Sequence, residues 1–280
     1  MAAAISKMVV APSVAGVERM RAFLRGEAFA PHRHDTYAIG VTTDGIQSFG
    51  YRGASHGSLA GQVFVLHPDE LHDGRQGDDR GFGYRIAYID PVLVRDAAQC
   101  CNLPFLPNPL VSYPRLCRAV RNFVSEMDTP LDDLAATGHL SEIAHALVAA
   151  SGDGAGPGRK IDTRAVGLAR DFLRAANEAT VSIAELETIS GLSRWQLARQ
   201  FRDAFGVSPS RYHLLRRLEH ARSLILGGMS LARVAPTAGF ADQAHLSRHF
   251  RDAFGMSPGR WRRLYTITFR PGISADGLPA

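Results

Sequence analysis

Between residues 18 and 90 the apolar positions come in short runs separated by turn chemistry. Tyr37 to Thr43 is followed by Asp44-Gly45, and Ile46 to Tyr51 by Arg52-Gly53; Gln62 to Leu66 and Phe82 to Ile89 come later. Runs of this length bounded by Gly and Asp predict strands, and Asp-Gly between two of them predicts a tight hairpin turn. Several short strands at this spacing point to a β-sandwich or small barrel. From Pro114 the period lengthens. Leu116, Val120, Phe123, Val124 and Met127 recur at helical spacing, Pro130 breaks the run, and Leu131, Leu134, Leu140, Ile143 and Leu147 resume it. Two antiparallel amphipathic helices fit, their apolar faces packed on the N-terminal part or on a second copy of the chain. Residues 151–160, SGDGAGPGRK, have four glycines, one proline and no apolar period, and read as a flexible linker.

The C-terminal part repeats itself. Phe201 to Arg211, FRDAFGVSPSR, recurs 49 residues later as Phe250 to Arg260, FRDAFGMSPGR, with nine of eleven positions identical. Each copy has the logic of a helix–turn–helix. In the first, Ser182 and Glu185 form a capping box, Ile183, Leu186 and Ile189 face inward, and Gly191 ends the helix in a left-handed conformation. Ser193 caps the following helix, in which Leu197 and Phe201 face inward. Arg194, Trp195, Gln196 and Arg199 are then presented near the start of that helix, and these residue types read base edges and hold phosphates. In the second copy Gly239 makes the turn, Leu246 and Phe250 face inward, and Asp242, Gln243, His245, Ser247 and Arg248 are presented. Phe201, Phe205, Phe250 and Phe254 read as core. Ser208-Pro209 and Ser257-Pro258 each open a further helix with proline at its first position. Tyr212 to Leu226 reads as one helix of roughly 22 Å, which sets the two recognition helices about 34 Å apart, one turn of DNA. Pro236, inside the second copy's first helix, removes an N–H and is expected to kink or shorten it.

Charge sharpens this division. Residues 1–150 carry 13 Lys+Arg against 16 Asp+Glu, and residues 151–280 carry 19 against 11, so the net charges are −3 and +8 within a total of +5. A basic half beside an acidic half suggests that the former meets a polyanion, nucleic acid or a membrane surface. With 45% hydrophobic and 21% charged residues the 280-residue chain has the composition of a soluble globular protein of two domains. No apolar run is long enough to span a bilayer, and the opening MAAAISKMVVAPSVAGVERM lacks the form of a secretory signal. Three cysteines, Cys100, Cys101 and Cys117, are an odd count with two adjacent, so a disulfide framework is not expected and a cytoplasmic location is.

Residues 163–264 resemble the DNA-binding domain of AraC/XylS-type transcriptional regulators. The stretch from Gly239 to Arg262, GFADQAHLSRHFRDAFGMSPGRWR, carries that family's most specific signature, and residues 20–90 are more weakly similar to its cupin-like sensor domain. The resemblance implies two helix–turn–helix motifs, effector-controlled binding to promoter or operator DNA, and contact with RNA polymerase.

Histidines supply the candidate chemistry of the first half. His32 and His34 sit at i, i+2 in PHRHD, hence on one face of a strand, and His72 closes HPDELH. A metal-dependent cupin uses two or three such histidines with a nearby carboxylate, but Tyr37, Ala38 and Ile39 stand where the Glu is expected, so the ligand set is incomplete. Two readings stay ahead of metal: His32, His34, Tyr37 and His72 line a mouth that binds a small organic effector by hydrogen bonds, or the histidines are satisfied structural groups.

The expected fold is α+β in two domains. Residues 1–113 form a cupin-like β-barrel or sandwich that senses an effector, and residues 114–150 a helical coupling or dimerisation element. The linker is 151–160, an all-α DNA-binding domain with two helix–turn–helix motifs joined by a long helix spans 161–265, and residues 266–280 are a tail. No catalytic residue, cofactor or metal is expected. The alternatives are a metal-dependent cupin enzyme fused to a DNA-binding module, and a regulator that works without an effector. A homodimer is compatible with the helices of 114–150, and activation versus repression is not legible in the chain.

Overall fold

The computed structural model describes residues 6–12, 14–100, 102–128, 131–152, 161–176 and 181–265. Cys101, Pro130, most of the expected linker and the tail lie outside the described residues.

Among the described residues nine antiparallel strands form two sheets that share one long strand. The first sheet has the order β1 (Lys7–Val10), β2 (Val17–Leu24), β8 (Phe82–Ile89), β4 (Tyr37–Tyr51), β6 (Val63–Leu66) and β9 (Leu110–Val111). The second joins the far half of β4 to β5 (Ala54–Leu59) and β7 (His72–Gln76), and β3 (Glu27–His32) pairs with β7. Asp44-Gly45 is therefore not a hairpin turn. β4 runs through it, with a register shift between Thr42 and Asp44 where the strand leaves β6 and joins β5. Gly45 holds φ +62°, and a Cβ there would lie 2.1 Å from the Gly81 carbonyl oxygen, so the bend admits only glycine. The tight turn comes one signal later, at Arg52 (φ 51°) and Gly53 (φ 79°), between β4 and β5.

Side chains of β4 alternate between two cores. Tyr37, Ile39 and Val41 face a cluster with Val63, Val65, Ala87 and Ile89, closed by α1 (Pro91–Ala98), α2 (Pro114–Phe123) and α3 (Asp133–Ser151). Leu116, Val120, Phe123, Val124, Met127, Ile143 and Leu147 are all buried in it, each worth roughly 1.5–3 kcal/mol on removal from water. The helical pair thus packs on its own β-domain. Leu134 does not follow: α3 begins at Asp133, capped by Asp132, and two residues before Ala136 on a helix is about 200° of rotation, so Leu134 is 84% exposed.

α4 (Thr163–Ala175), α5 (Ile183–Ser190), α6 (Arg194–Phe205) and the start of α7 (Pro209–Leu226) enclose a second cluster of Val166, Ala169, Leu173, Leu186, Leu197, Phe201, Phe205 and Tyr212, against which Val92 of α1 packs. Ile183 stays out of it, exposed at the first position of α5.

The third cluster crosses the molecule. Met8, Met20, Leu24, Ala38, Phe49, Phe64 and Ile86 of the sheets share it with Leu215, Leu218 and Ile225 of α7, with Val234 of α8 (Leu231–Thr237), with Leu246 and Phe250 of α9 (Gln243–Phe254), and with Trp261 of α10 (Pro258–Tyr265). The second helix–turn–helix and the β-domain therefore bury one common core, whereas the first has its own. Pro236 sits one residue before the end of the seven-residue α8, shortening it, and the Ala238 and Phe240 N–H groups close the turn onto Val234 and Ala235.

Candidate DNA interface and interdomain cavity

The two recognition helices, α6 and α9, begin with equivalent devices. Ser193 and Asp242, 49 residues apart, are their N-caps: Ser193 Oγ accepts from the Gln196 N–H, and Asp242 Oδ1 accepts from the His245 N–H at 2.7 Å. The third residue of each helix reaches back. Gln196 Oε1 accepts from the Ser193 N–H at 3.1 Å, and His245 Nδ1 from the Ala241 N–H at 3.3 Å. The His245 ring then donates through Nε2 to His249 Nε2 at 2.9 Å. Gln196, Asp242 and His245, expected among the presented residues, thus hold the helix starts in place.

The other six divide by exposure. Trp195 is 80% exposed, and Arg194, Arg199, Gln243 and Arg248 are exposed, while Ser247 is half-buried. Arg194 is steered by Glu187, whose carboxylate accepts from its backbone N–H at 2.7 Å and lies 3.5 Å from its guanidinium. Among the described residues Arg199 and Arg248 enter no salt bridge, so both keep their full hydrogen-bonding capacity for a partner.

The opposite ends of these helices dock on the β-domain. Gly206 and Gly255, the left-handed caps of α6 and α9, are equivalent positions of the repeat. Gly206 lies against Pro68 and Leu103, and Arg95 of α1 donates to the Ala204 carbonyl at 3.1 Å. Gly255 lies against β3: the Ala30 N–H donates to its carbonyl at 2.8 Å and the Arg33 N–H to that of Asp252 at 3.1 Å.

A cavity of about 280 Å³ opens between the β-domain and α7, α9 and α10, with Arg174 of α4 and Phe205 of α6 also in its wall. Two ion pairs cross it. Arg216 meets Asp35 at 2.6 Å, and Arg222 meets Glu18 at 2.8 Å while holding Glu219 at 3.0 Å. Arg222 lies over the rings of Phe254 and Trp261. Burial alone would lower the Arg222 guanidinium, but the Glu219 and Glu18 charges outweigh it and hold the group well above its ordinary range. These four groups escaped the sequence reading because partners 181 and 204 positions apart leave no local signal.

His32 and His34 line this cavity, and His72 lies beside them, with ring centroids 4.2 Å from His32 and 4.7 Å from His34. Each of the three uses Nδ1 on a backbone carbonyl 2.9 Å away, those of Ala30, Thr36 and Glu70. Burial, then mutual repulsion, holds His32 and His34 well below the usual imidazole range, and burial takes His72 down to about 4. Tyr37 is not with them. As an odd-numbered position of β4 it points into the helix-covered core, where its hydroxyl donates to the Pro104 carbonyl at 2.8 Å. Among the described residues no three His, Cys, Asp or Glu side chains are placed to hold a metal ion.

Two helix–turn–helix units beside a β-domain with a cavity at the junction define a DNA-binding protein with a ligand-binding domain. Comparison with known proteins gives the same division: a helix–turn–helix domain family matches residues 186–264, and the AraC-like ligand binding domain matches residues 14–144. The chain is 23% identical over 230 residues to the HTH-type transcriptional regulator YbfI of Bacillus subtilis, spanning 79% of this chain and 82% of that one. ToxT of Vibrio cholerae shares the fold, with a TM-score of 0.65 at 13% identity over 90% of this chain and 99% of its own. ToxT with an unsaturated fatty acid bound aligns at a TM-score of 0.61 and 14% identity, covering 96% and 100%. The chain belongs to the AraC family of DNA-binding transcriptional regulators.

Proposed function

We propose that this regulator reads DNA with α6 and α9 in successive major grooves, and that a small organic effector in the interdomain cavity sets their relative position. Arg194, Trp195, Arg199, Gln243, Ser247 and Arg248 make the contacts, and Gln196, Asp242 and His245 orient the helix starts. The observation that carries this reading is the cavity wall. It is built from both halves of the chain and crossed by Arg216–Asp35 and Arg222–Glu18, so a molecule seated there acts on the β-domain and the DNA reader together. ToxT with a fatty acid bound supports a small-molecule ligand in this fold. On this reading His32 and His34 face the effector, His72 supports them, and the chain works by binding rather than catalysis.

The remaining assignments are parts of the same proposal. Residues 1–113 sense, 114–150 brace the sensor and offer the free face of α3 for a homodimer, 151–160 link, 161–265 bind DNA, and 266–280 form a tail. RNA polymerase is the downstream partner and the cytoplasm the site of action. Among the described residues no helix is long and apolar enough to cross a membrane. Genome-wide DNA capture with the full-length protein at physiological salt tests the core of it. Discrete sites with paired half-sites about one helical turn apart are expected, and diffuse, salt-labile capture refutes a two-groove reader.

A further inference from the structure

The caps of the repeated helices align the two motifs residue by residue. Ser193 and Asp242 are the N-caps of α6 and α9, so Arg194 and Gln243 are the first residues of these helices, and Arg199 and Arg248 occupy a second pair of equivalent positions. Ser182 and Ser230 are the N-caps of the preceding helices, so Glu187 of α5 corresponds to Ala235 of α8.

Arginine is kept in both motifs at Arg199 and Arg248. The first position differs, and it differs together with its neighbour. In the first motif the Glu187 carboxylate accepts from the Arg194 backbone N–H at 2.7 Å and lies 3.5 Å from the guanidinium. In the second motif Gln243 stands for the arginine and the buried Ala235 for the glutamate. An ion pair is exchanged for an uncharged couple. A phosphate anchor works through net positive charge, because its contribution is the release of counterions. Glu187 offsets that charge at Arg194, and it also holds the backbone N–H on which a phosphate oxygen at the start of α6 would sit. Gln243 has no charge to give.

What both first positions keep is a pattern of donors and acceptors. Arg194 and Gln243 are exposed, on the helix ends opposite those that dock on the β-domain. A guanidinium edge presents two parallel N–H donors, which match the O6 and N7 acceptors of guanine in the major groove. A primary amide presents one donor and one acceptor, which match N7 and the N6 amino group of adenine.

Resting on the placement of α6 and α9 in successive grooves, we propose that the first residue of each recognition helix sets the base preference of its half-site: Arg194 reads a guanine in one, and Gln243 reads an adenine at the equivalent place in the other. The operator is then a pair of related but unequal half-sites rather than one sequence repeated.

In vitro selection from a random duplex pool with the full-length protein tests this, followed by fluorescence anisotropy on the selected site with single base pairs replaced. Two half-sites about one helical turn apart are expected, with the guanine and the adenine each preferred about tenfold over their replacements. Gln243→Arg should change the adenine preference of one half-site to guanine, and Arg194→Gln the guanine preference of the other to adenine, each at that position alone. Both side chains are exposed, so the variants should keep the Tm of the parent protein. Paired half-sites whose base preferences neither exchange alters overturn the assignment and leave the two-groove reading standing. Weakening by Arg194→Gln that is equal on all sequences, with a salt slope lower by about 1, marks a phosphate anchor and overturns the guanine assignment. Selection of a single half-site, or of none, overturns the two-groove reading and the assignment with it.

Discussion

Two glycines allow the docking of the DNA reader onto the sensor to be measured separately from helix capping. Gly191 and Gly255 both end a helix in the left-handed region, at φ +70° and +66°. Among the described residues a Cβ on Gly191 meets nothing within 4 Å. On Gly255 it falls 2.8 Å from His32 Nδ1 and 2.9 Å from both the Ala30 carbonyl oxygen and Phe29 Cβ, closer than real Cβ contacts allow. Gly191→Ala therefore isolates the cost of an L-residue in the left-handed region, about 1–2 kcal/mol. Gly255→Ala carries that cost and also pushes β3 off α9. If the two hydrogen bonds of that contact open, from the Ala30 and Arg33 N–H groups, a further ~1 kcal/mol each is lost, for a difference of about 2 kcal/mol between the variants. Urea unfolding of the full-length protein, followed by Trp fluorescence, measures both midpoints. DNA affinity should separate them too, because only Gly255→Ala frees the second motif from the β-domain. Equal losses of stability with equal DNA binding would show that the β3–α9 contact contributes nothing, and the coupling argument would fall with it.

Further expectations rest on single groups. Trp195→Ala, at an 80% exposed position, should leave stability within about 0.5 kcal/mol while weakening DNA binding severalfold by fluorescence anisotropy; unchanged affinity removes Trp195 from the interface. Arg199→Ala and Arg248→Ala should each lower the slope of log affinity against log salt by about 0.9 if they hold phosphates, and an unaltered slope with unaltered affinity contradicts that role. Stability should fall on acidification below about pH 6.5. His72 titrates near 4 when folded and near 6.5 when unfolded, so between those values the unfolded chain binds more protons, and the stability present above 6.5 is lost as pH drops towards 4. His72 alone contributes up to roughly 3 kcal/mol of that loss, and the depressed His32, His34 and His67 act in the same direction. A urea midpoint unchanged between pH 7 and pH 5 is the contrary result.

The features legible in the sequence are those whose cause is local. Capping boxes, left-handed glycines and Ser-Pro helix starts involve residues one to four apart, so both helix–turn–helix units could be read directly, down to Ser182–Glu185 and Ser193. Where the reading erred, a nonlocal partner or a competing local role decided. Asp44-Gly45 has the composition of a hairpin turn, but Gly81 across the sheet makes it a bend in a continuous strand. Tyr37 shares a segment with His32 and His34, yet strand alternation sends it into the opposite core. Gln196, Asp242 and His245, read as presented to DNA, carry in addition a helix-capping role that the sequence reading did not give them.

The cavity was the least legible feature because it belongs to neither half alone. Its ion pairs join Glu18 and Asp35, in the acidic half, to Arg222 and Arg216, on the long helix of the basic half. The charge asymmetry that suggested DNA as partner is therefore partly satisfied inside the molecule: two of the basic half's arginines are held by the sensor and unavailable to phosphates. Those same two stand on the helix that connects the motifs. Whatever changes their pairing in the cavity acts on the element that sets the distance between α6 and α9, and α9 shares one hydrophobic core with the sensor, whereas α6 belongs to a separate core that the sensor meets through Val92. An effector at this junction thus has unequal leverage on the two motifs. The first keeps its own core and should fold and bind its half-site regardless, so effector-dependent affinity should reside in the half-site read by Gln243, Ser247 and Arg248. Footprinting with and without ligand distinguishes this from uniform control: protection should change at one half-site, and equal changes at both would mean that the shared core does not transmit the signal.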